Sequence, residues 1–486
     1  MRWFLIILLF SLLFVFAIHP FTTITYDIGA HLTAGKIIVT EHHVIRTNFF
    51  SYTYPDFPFI NHHWFGAVLL YIGYLYFGLK GLIVMEALIF TAAFALSFLA
   101  FVRKKTLFLS IIIGVISIFT LLGRLDVRPE IFSYLFLGWY LFVLFRKPDS
   151  GLLWSLPIVQ FIWINTHILF FLGPLIYTLF LFGRWVDTKT FPTKGQIYIG
   201  GLVLIANIIN PFGLAGALYP FRIFDNYGVV VSENIPPFSQ KGLSSYPPLV
   251  IYAFGLGIFF TIISFIANHK NIKKNIFNLS LFIISSILAI MMIRNMPIFA
   301  LCMLPIVMKN IHEARWFISY SKQKAIIFAV MLAILIYSVI DNEFYSGAGI
   351  KRSFGLSIPP DGQKAVDFVQ KNNLTGPILN SYNVGSFLIW QLPNEKIFID
   401  GRPEAYPADF IKNVYIGMQI DPKLFEKYSE QYKFNYIFWD NMDKSELAQR
   451  FIETLKQNPK WFLAYEDNKF RIFIRNTPEN HELISR

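Results

Sequence analysis

Long apolar runs, separated by short charged or Pro/Gly-containing breaks, fill most of the first 341 residues of this chain. They fall near 3–19, 80–101, 106–122, 130–146, 152–168, 169–183, 196–210, 248–267, 276–293, 296–309 and 325–341. Inside a bilayer every backbone N–H and C=O must be satisfied internally, and for runs of this length that means helices. The expected fold is a polytopic α-helical membrane protein of about eleven transmembrane helices. Only 15% of the 486 residues are charged, where a soluble protein carries about a quarter. Lipid must replace water over much of the surface.

The net charge of +12 is unevenly placed. From Asn342 onward 18 Lys and Arg balance 18 Asp and Glu, so the excess lies in the apolar part. With the N-terminus inside, the inner loops hold 16 basic residues, Arg103-Lys104-Lys105 among them, and the outer membrane-side segments 8. This is the positive-inside pattern, and it leaves no polybasic stripe for nucleic acid. The pattern requires 64–78, rich in Tyr and Trp and interrupted by Gly66, Gly73 and Gly78, to lie along the outer interface as a helix. Met1-Arg2-Trp3 leads into an apolar run without a small-residue cleavage site and reads as an uncleaved signal anchor. The single cysteine, Cys302, sits in an apolar run and reads as a small core residue.

The chain is expected to organise as a membrane domain at 1–341, a Gly/Pro linker at 342–360 and an extracytoplasmic soluble α/β domain at 361–486. In the last, helices are expected at Asp361–Asn372, Gly385–Trp390, Ala408–Tyr415, Pro422–Tyr432 and Lys444–Gln457. Strands are expected at Ile378–Asn380, Lys396–Asp400, Tyr436–Trp439, Phe462–Tyr465 and Phe470–Arg475. Two long outer loops, 20–79 and 211–247, exceed what connection alone needs.

Chemistry-bearing residues gather on that outer side. Asp27 follows the first helix in Thr25-Tyr26-Asp27-Ile28-Gly29-Ala30-His31; a helix starting there puts Asp27 and His31 on one face. Asp27 also reads as an N-cap. Asp126 and Arg128 lie in Gly123-Arg124-Leu125-Asp126-Val127-Arg128-Pro129-Glu130, where charges beside hydrocarbon must pair or work. His62-His63 precede Trp64, and their spacing to Glu41-His42-His43 matches no standard metal motif. No cofactor is called for, and a divalent metal is not indicated. Asn165 and His167 end the fifth helix. Arg294 joins the ninth and tenth, where a guanidinium can anchor at the interface or clamp a phosphate. Asp400-Gly401-Arg402-Pro403-Glu404 follows a strand end, where α/β folds often bind ligands, and is read here as a structural turn. No P-loop, dinucleotide fingerprint, zinc-finger spacing or nucleophile elbow is present.

In these loops the sequence resembles the multispanning glycosyltransferases of the GT-C fold. It is most similar to bacterial proteins resembling lipopolysaccharide-core glycosyltransferases, protein O-mannosyltransferases and aminoarabinose transferases. Asp27, the 64–78 helix, Asp126 and the 342–486 region match the family's order of loop acid, interfacial helix, second loop acid and C-terminal outer domain. Asn61-His62-His63-Trp64 stands where many members carry a Lys-Pro-Pro-Leu-like segment, so the family's phosphate-contacting lysine has no counterpart. The resemblance implies transfer of a sugar from a polyprenyl-phosphate donor to a glycan, lipid or protein acceptor outside the cytoplasmic membrane, with inversion. It casts Asp27 as general base, with Asp126 orienting substrate. His31, His62, His63, Arg128, Asn165, His167 and Arg294 become substrate contacts, His62, His63 and Arg294 stabilising the leaving phosphate. The alternatives are a transporter or flippase of lipid-linked saccharide, which explains polar residues gathered in outer loops poorly, and a noncatalytic envelope scaffold.

Overall fold

A computed structural model describes residues 1–21, 27–229, 231–359 and 362–485. It forms two compact units: unit 1 from Met1–Phe21, Tyr76–Ala217 and Val231–Ser357, and unit 2 from Thr22–Leu75, Leu218–Val230 and Ile358–Arg486.

Unit 1 is helical. Its elements include α1 (Arg2–Ala17), followed after α2 (Ile28–Glu41, unit 2) by the later part of α3 (Trp64–Leu99). Then come α4 (Leu107–Leu121), α5 (Glu130–Arg146), α6 (Ser155–Thr166), α7 (Leu172–Thr188) and α8 (Lys194–Ala206). Helices at Pro248–Ala267, Ile276–Met291, Met296–Glu313 and Lys322–Ile340 follow. Among the described residues five helical segments are long and apolar enough to cross a membrane, and four shorter apolar helices accompany them. The expected eleven spans therefore reduce to five clear ones and a shorter set, because polar residues and helix breaks shorten several apolar runs. The Met296–Glu313 helix forms the centre: 15 of its 18 residues are buried, against α4, α5 and the two helices before it. The Lys322–Ile340 helix is the opposite case. Ile326, Ile327, Val330, Met331, Ile334 and Tyr337 all stand exposed, an apolar surface that only lipid makes stable. The molecule is a multi-pass membrane protein with a distinct non-membrane C-terminal region.

Helix α3 leaves helical geometry at Gly78 (φ 64°, ψ −171°), which separates the Tyr/Trp-rich 64–77 stretch from the spanning stretch. The 342–360 linker is anchored: it carries a short helix, Glu343–Gly347, and its Gly355 N–H donates to the Ile18 carbonyl at 3.2 Å.

Unit 2 is built on a four-stranded sheet of order β1-β2-β4-β3. Its strands are β1 (Ile378–Asn380), β2 (Tyr436–Asp440), β3 (Trp461–Glu466) and β4 (Phe470–Arg475). β1 runs parallel to β2, and the other pairs are antiparallel. β2 is buried on both faces, its side chains alternating between two cores. Tyr436 and Phe438 join the core that holds Ala30, Ala34 and Ala67; Ile437 and Trp439 join the one that holds Phe59. Helices Gln363–Lys371, Gly385–Gln391, Pro422–Tyr432 and Glu446–Gln457 lie near their expected places, although Asp361 lies outside the described residues. The Ala408–Tyr415 expectation becomes a π-helix at Phe410–Ile416.

Lys396–Asp400 is not a ladder strand. The Asn380 carboxamide oxygen accepts from the Phe398 and Ile399 N–H groups, replacing strand partners. A single parallel bridge joins Ile397 to Ser51 of the first loop. The Ser51 and Thr53 hydroxyls both donate to the Phe398 carbonyl, so residues 47–53 form an extra edge of this unit.

Candidate functional site

In unit 2, Asp27 occupies the N-cap position of α2, but its side chain makes no capping hydrogen bond. The carboxylate instead accepts from Ser386 Oγ at 3.4 Å and lies over Gly401, where a Cβ would stand 2.3 Å from its Oδ1. Only glycine at 401 admits it. Gly29 brings the two elements this close, since a Cβ there would meet the Ser386 carbonyl at 2.0 Å. Sequence thus sets the position of Asp27 through two absent side chains, one on each surface.

One helical turn on, His31 meets His63 edge-on with ring centroids 5.3 Å apart. His63 lies 3.8 Å from His62, and His62 lies 5.2 Å from Tyr219. Asp27, His31, His62 and His63 therefore belong to one polar cluster of unit 2, as the loop reading expects, with Thr25 and Tyr26 outside the described residues. Among the described residues no three His, Cys, Asp or Glu side chains are arranged to hold one ion.

The Asp400–Glu404 turn lies beneath this cluster. Arg402 grips Asp400 through two hydrogen bonds, 2.8 and 2.6 Å. Its guanidinium sits over the rings of Phe50 and Phe59 and reaches Asn48 Oδ1 at 3.3 Å. Tyr382 donates to the Gly401 carbonyl at 3.0 Å. Glu404, which the sequence reading left structural, lies in this turn. Burial pushes its carboxyl up to about 7; its own backbone N–H and Arg402 pull it down, while Asp27 and Asp400 push it further up. The only sequence signal was a carboxylate within a strand-end turn.

The sign for stability follows. From its ordinary 4.5 up to about 7, native Glu404 holds a proton that the unfolded chain has lost. Stability therefore falls as pH rises through that window. Glu404→Gln is expected to flatten the decline in Tm of the detergent-solubilised protein between about pH 5 and 7. Parallel declines in the variant and the parent would rule Glu404 out as the responsible group.

In unit 1, Asp126 is buried and pairs with Arg352 at 3.2 Å. The His19 ring lies between two carbonyls, Nε2 2.6 Å from that of the neighbouring Leu125 and Nδ1 3.0 Å from that of Pro20. Arg124 binds Glu130 through two nitrogens and Glu233 at 2.8 Å, and Arg128 binds the same Glu233 oxygen at 2.6 Å. Arg294 reaches the adjacent Asn234 at 3.3 Å. Burial alone would push the Glu233 carboxyl up, but Arg124, Arg128 and Arg294 override it and hold it well below the usual carboxylate range. Asp126, Arg128 and Arg294 are thus members of one charged cluster, to which sequence reasoning failed to add Glu233 and Arg352.

Asn165 and His167 lie elsewhere in that unit and are tied into its packing. The Asn165 amide donates to the Phe161 and Ile209 carbonyls. His167 Nδ1 lies 2.8 Å from Ser133 Oγ, which also accepts from Trp163 Nε1 at 2.7 Å. The Trp-x-Asn-x-His pattern therefore fastens the end of α6.

No protein-family model matches the sequence, and no curated protein matches it. Solved structures do resemble the fold. The oligosaccharyltransferase AglB from Archaeoglobus fulgidus, in complex with an inhibitory peptide and a dolichol-phosphate, aligns with TM-score 0.61 at 12% identity. That alignment covers 96% of this chain and 73% of the other. The apo form of an oligosaccharyltransferase from the same organism aligns with TM-score 0.61 at 11% identity, covering 92% and 70%. An alignment to ArnT from Cupriavidus metallidurans, bound to undecaprenyl phosphate, covers 98% of both chains at 9% identity, but its TM-score of 0.25 carries no argument. At this identity the two oligosaccharyltransferase alignments show a likeness of fold.

Proposed function

We propose that this protein transfers a sugar from a polyprenyl-phosphate donor to an acceptor hydroxyl on the extracytoplasmic side of the cytoplasmic membrane, with inversion and with Asp27 as general base. The observation that carries the reading is the Asp27 carboxylate: it declines its own helix N-terminus and is held instead by Ser386 over Gly401. An N-cap has no need of that placement, whereas a base must present an oxygen to a proton. The acceptor oxygen attacks the anomeric carbon, the carbon–oxygen bond to phosphate breaks, and the acceptor proton passes to Asp27. His31, His62 and His63 supply ring N–H donors for the departing phosphate oxygens. In unit 1, Arg128, Arg294 and Asp126 belong to a charged cluster of their own, in which Asp126 holds Arg352. The outward orientation rests on the basic bias of the inner loops. The likeness to an oligosaccharyltransferase fold supports the reaction class.

The test is turnover. Detergent-solubilised protein given a polyprenyl-phosphate sugar and a hydroxyl acceptor is expected to release polyprenyl phosphate in step with glycosylated product. Absence of phosphate release there, with movement of donor between leaflets once the protein is reconstituted in vesicles, would mark a carrier and defeat the proposal.

A further inference from the structure

In unit 1, a loop carboxylate is held by two arginines, with a third beside it. Glu233 sits in a short 3-10 turn, Ser232–Asn234, within a loop rich in proline and valine. Its Oε1 meets Arg124 at 2.8 Å and Arg128 at 2.6 Å. The neighbouring Asn234 takes Arg294, and the Ile293 N–H donates to the Ile235 carbonyl at 3.0 Å, so the loop is fastened beside Arg294 as well.

The charges in this cluster do not balance. Arg124, Arg128, Arg294 and Arg352 face Asp126, Glu130 and Glu233. Arg124 holds Glu130, six residues along, through two nitrogens, and Arg352 holds Asp126 from 226 residues further along the chain. Glu233 is the carboxylate of the cluster that sits on the proline-rich loop, 105 residues along the chain from Arg128. Without Glu233, four guanidinium groups would face two carboxylates, an excess that suits a phosphate ester of one to two negative charges. Arginine forks match carboxylate and phosphate oxygens alike, so a phosphate ester can take the place of a carboxylate there.

We propose that Arg124, Arg128 and Arg294 form a phosphate-ester site that Glu233 fills as an internal stand-in, so that ligand phosphate must displace Glu233 and release the loop that carries it. The inference rests on the reading above only in naming the lipid-linked donor as the expected source of that phosphate. Glu233 competes intramolecularly for the arginines, and apparent phosphate affinity is reduced by the fraction of molecules in which it is bound.

Two experiments on the full-length solubilised protein test this. First, binding of inorganic phosphate and of polyprenyl phosphate is measured for the parent and for Glu233→Gln. Removal of the competing charge is expected to tighten binding at least about tenfold. Tightening for both probes supports a general phosphate site; tightening for the lipid alone assigns the source to the donor headgroup. Unchanged or weaker binding of both overturns the proposal. Second, Lys241, exposed in the same loop, reports release without any substitution. Saturating polyprenyl phosphate or inorganic phosphate should speed trypsin cleavage there about tenfold in the parent protein, and protection or no change with both overturns the latch. Should sugar transfer proceed while both measurements stay flat, the latch fails alone. Should both respond without any transfer, the enzymatic reading fails alone.

Discussion

Asp27→Asn is expected to slow sugar transfer by about 10²–10⁴-fold while the protein remains folded. The substitution keeps the shape of the side chain. An amide oxygen accepts from Ser386 Oγ as the carboxylate does, and the space over Gly401 is filled by an atom of similar size. What disappears is the capacity to take a proton from the attacking hydroxyl. Acceptor binding should change little, so the loss should appear in kcat. Ser386→Ala separates positioning from proton transfer: it leaves the base in place but loosens one oxygen, and a milder loss than that of Asp27→Asn is expected. Retention of full transfer by Asp27→Asn in a membrane assay would remove the base assignment.

The second large effect is on stability. Arg402→Ala is expected to destabilise unit 2 by about 3–5 kcal/mol, because it leaves a buried carboxylate without its cation. Asp400 is 0% exposed, and after the substitution its carboxylate keeps the Tyr406 hydroxyl at 3.1 Å and the residue 402 backbone N–H. The aromatic pair that sandwiches the guanidinium, Phe50 and Phe59, is left over a void. Hydrogen exchange read at β2 in the intact protein gives the measurement: protection at Ile437 and Trp439 should drop by about two to three orders of magnitude. Arg402→Lys should restore only part of it, because an ammonium cannot reproduce the fork. Unaltered protection in Arg402→Ala would show that the pair contributes nothing to this unit.

The membrane helices and most C-terminal elements were legible because their signals are local: apolar length for the spans, alternating helix and strand patterns for the sheet. Lys396–Asp400 misled because a side chain, the Asn380 carboxamide, took the N–H groups that a neighbouring strand would have used. The site was half legible. Asp27, His31, His62 and His63 stood out because loop acids and imidazoles beside apolar helices are conspicuous. That the Asp27 carboxylate meets Ser386 and does not cap α2 was not legible, since both arrangements begin from the same residue at the same place. Glu404 and Glu233 escaped notice for another reason. Each gains meaning only from partners brought in by the fold, Asp27 above the turn for one and three arginines for the other. Asn165 and His167 stood out in the sequence as loop polar groups, and their bonds to backbone and to Ser133 were not legible there.

Unit 2 is assembled from three stretches that the ribosome makes far apart in time, with the last beginning at Ile358. Until that last stretch emerges, α2 has neither Ser386 nor Gly401 beneath Asp27, and Ala30, Ala34 and Phe50 lack the core they share with Phe387 and Phe438. A nascent or prematurely terminated chain therefore inserts helices into the bilayer while Asp27 still lacks its partners. Under the proposed function, competence would arrive only with completion of translation, and a half-made copy would have no means of spending lipid-linked sugar.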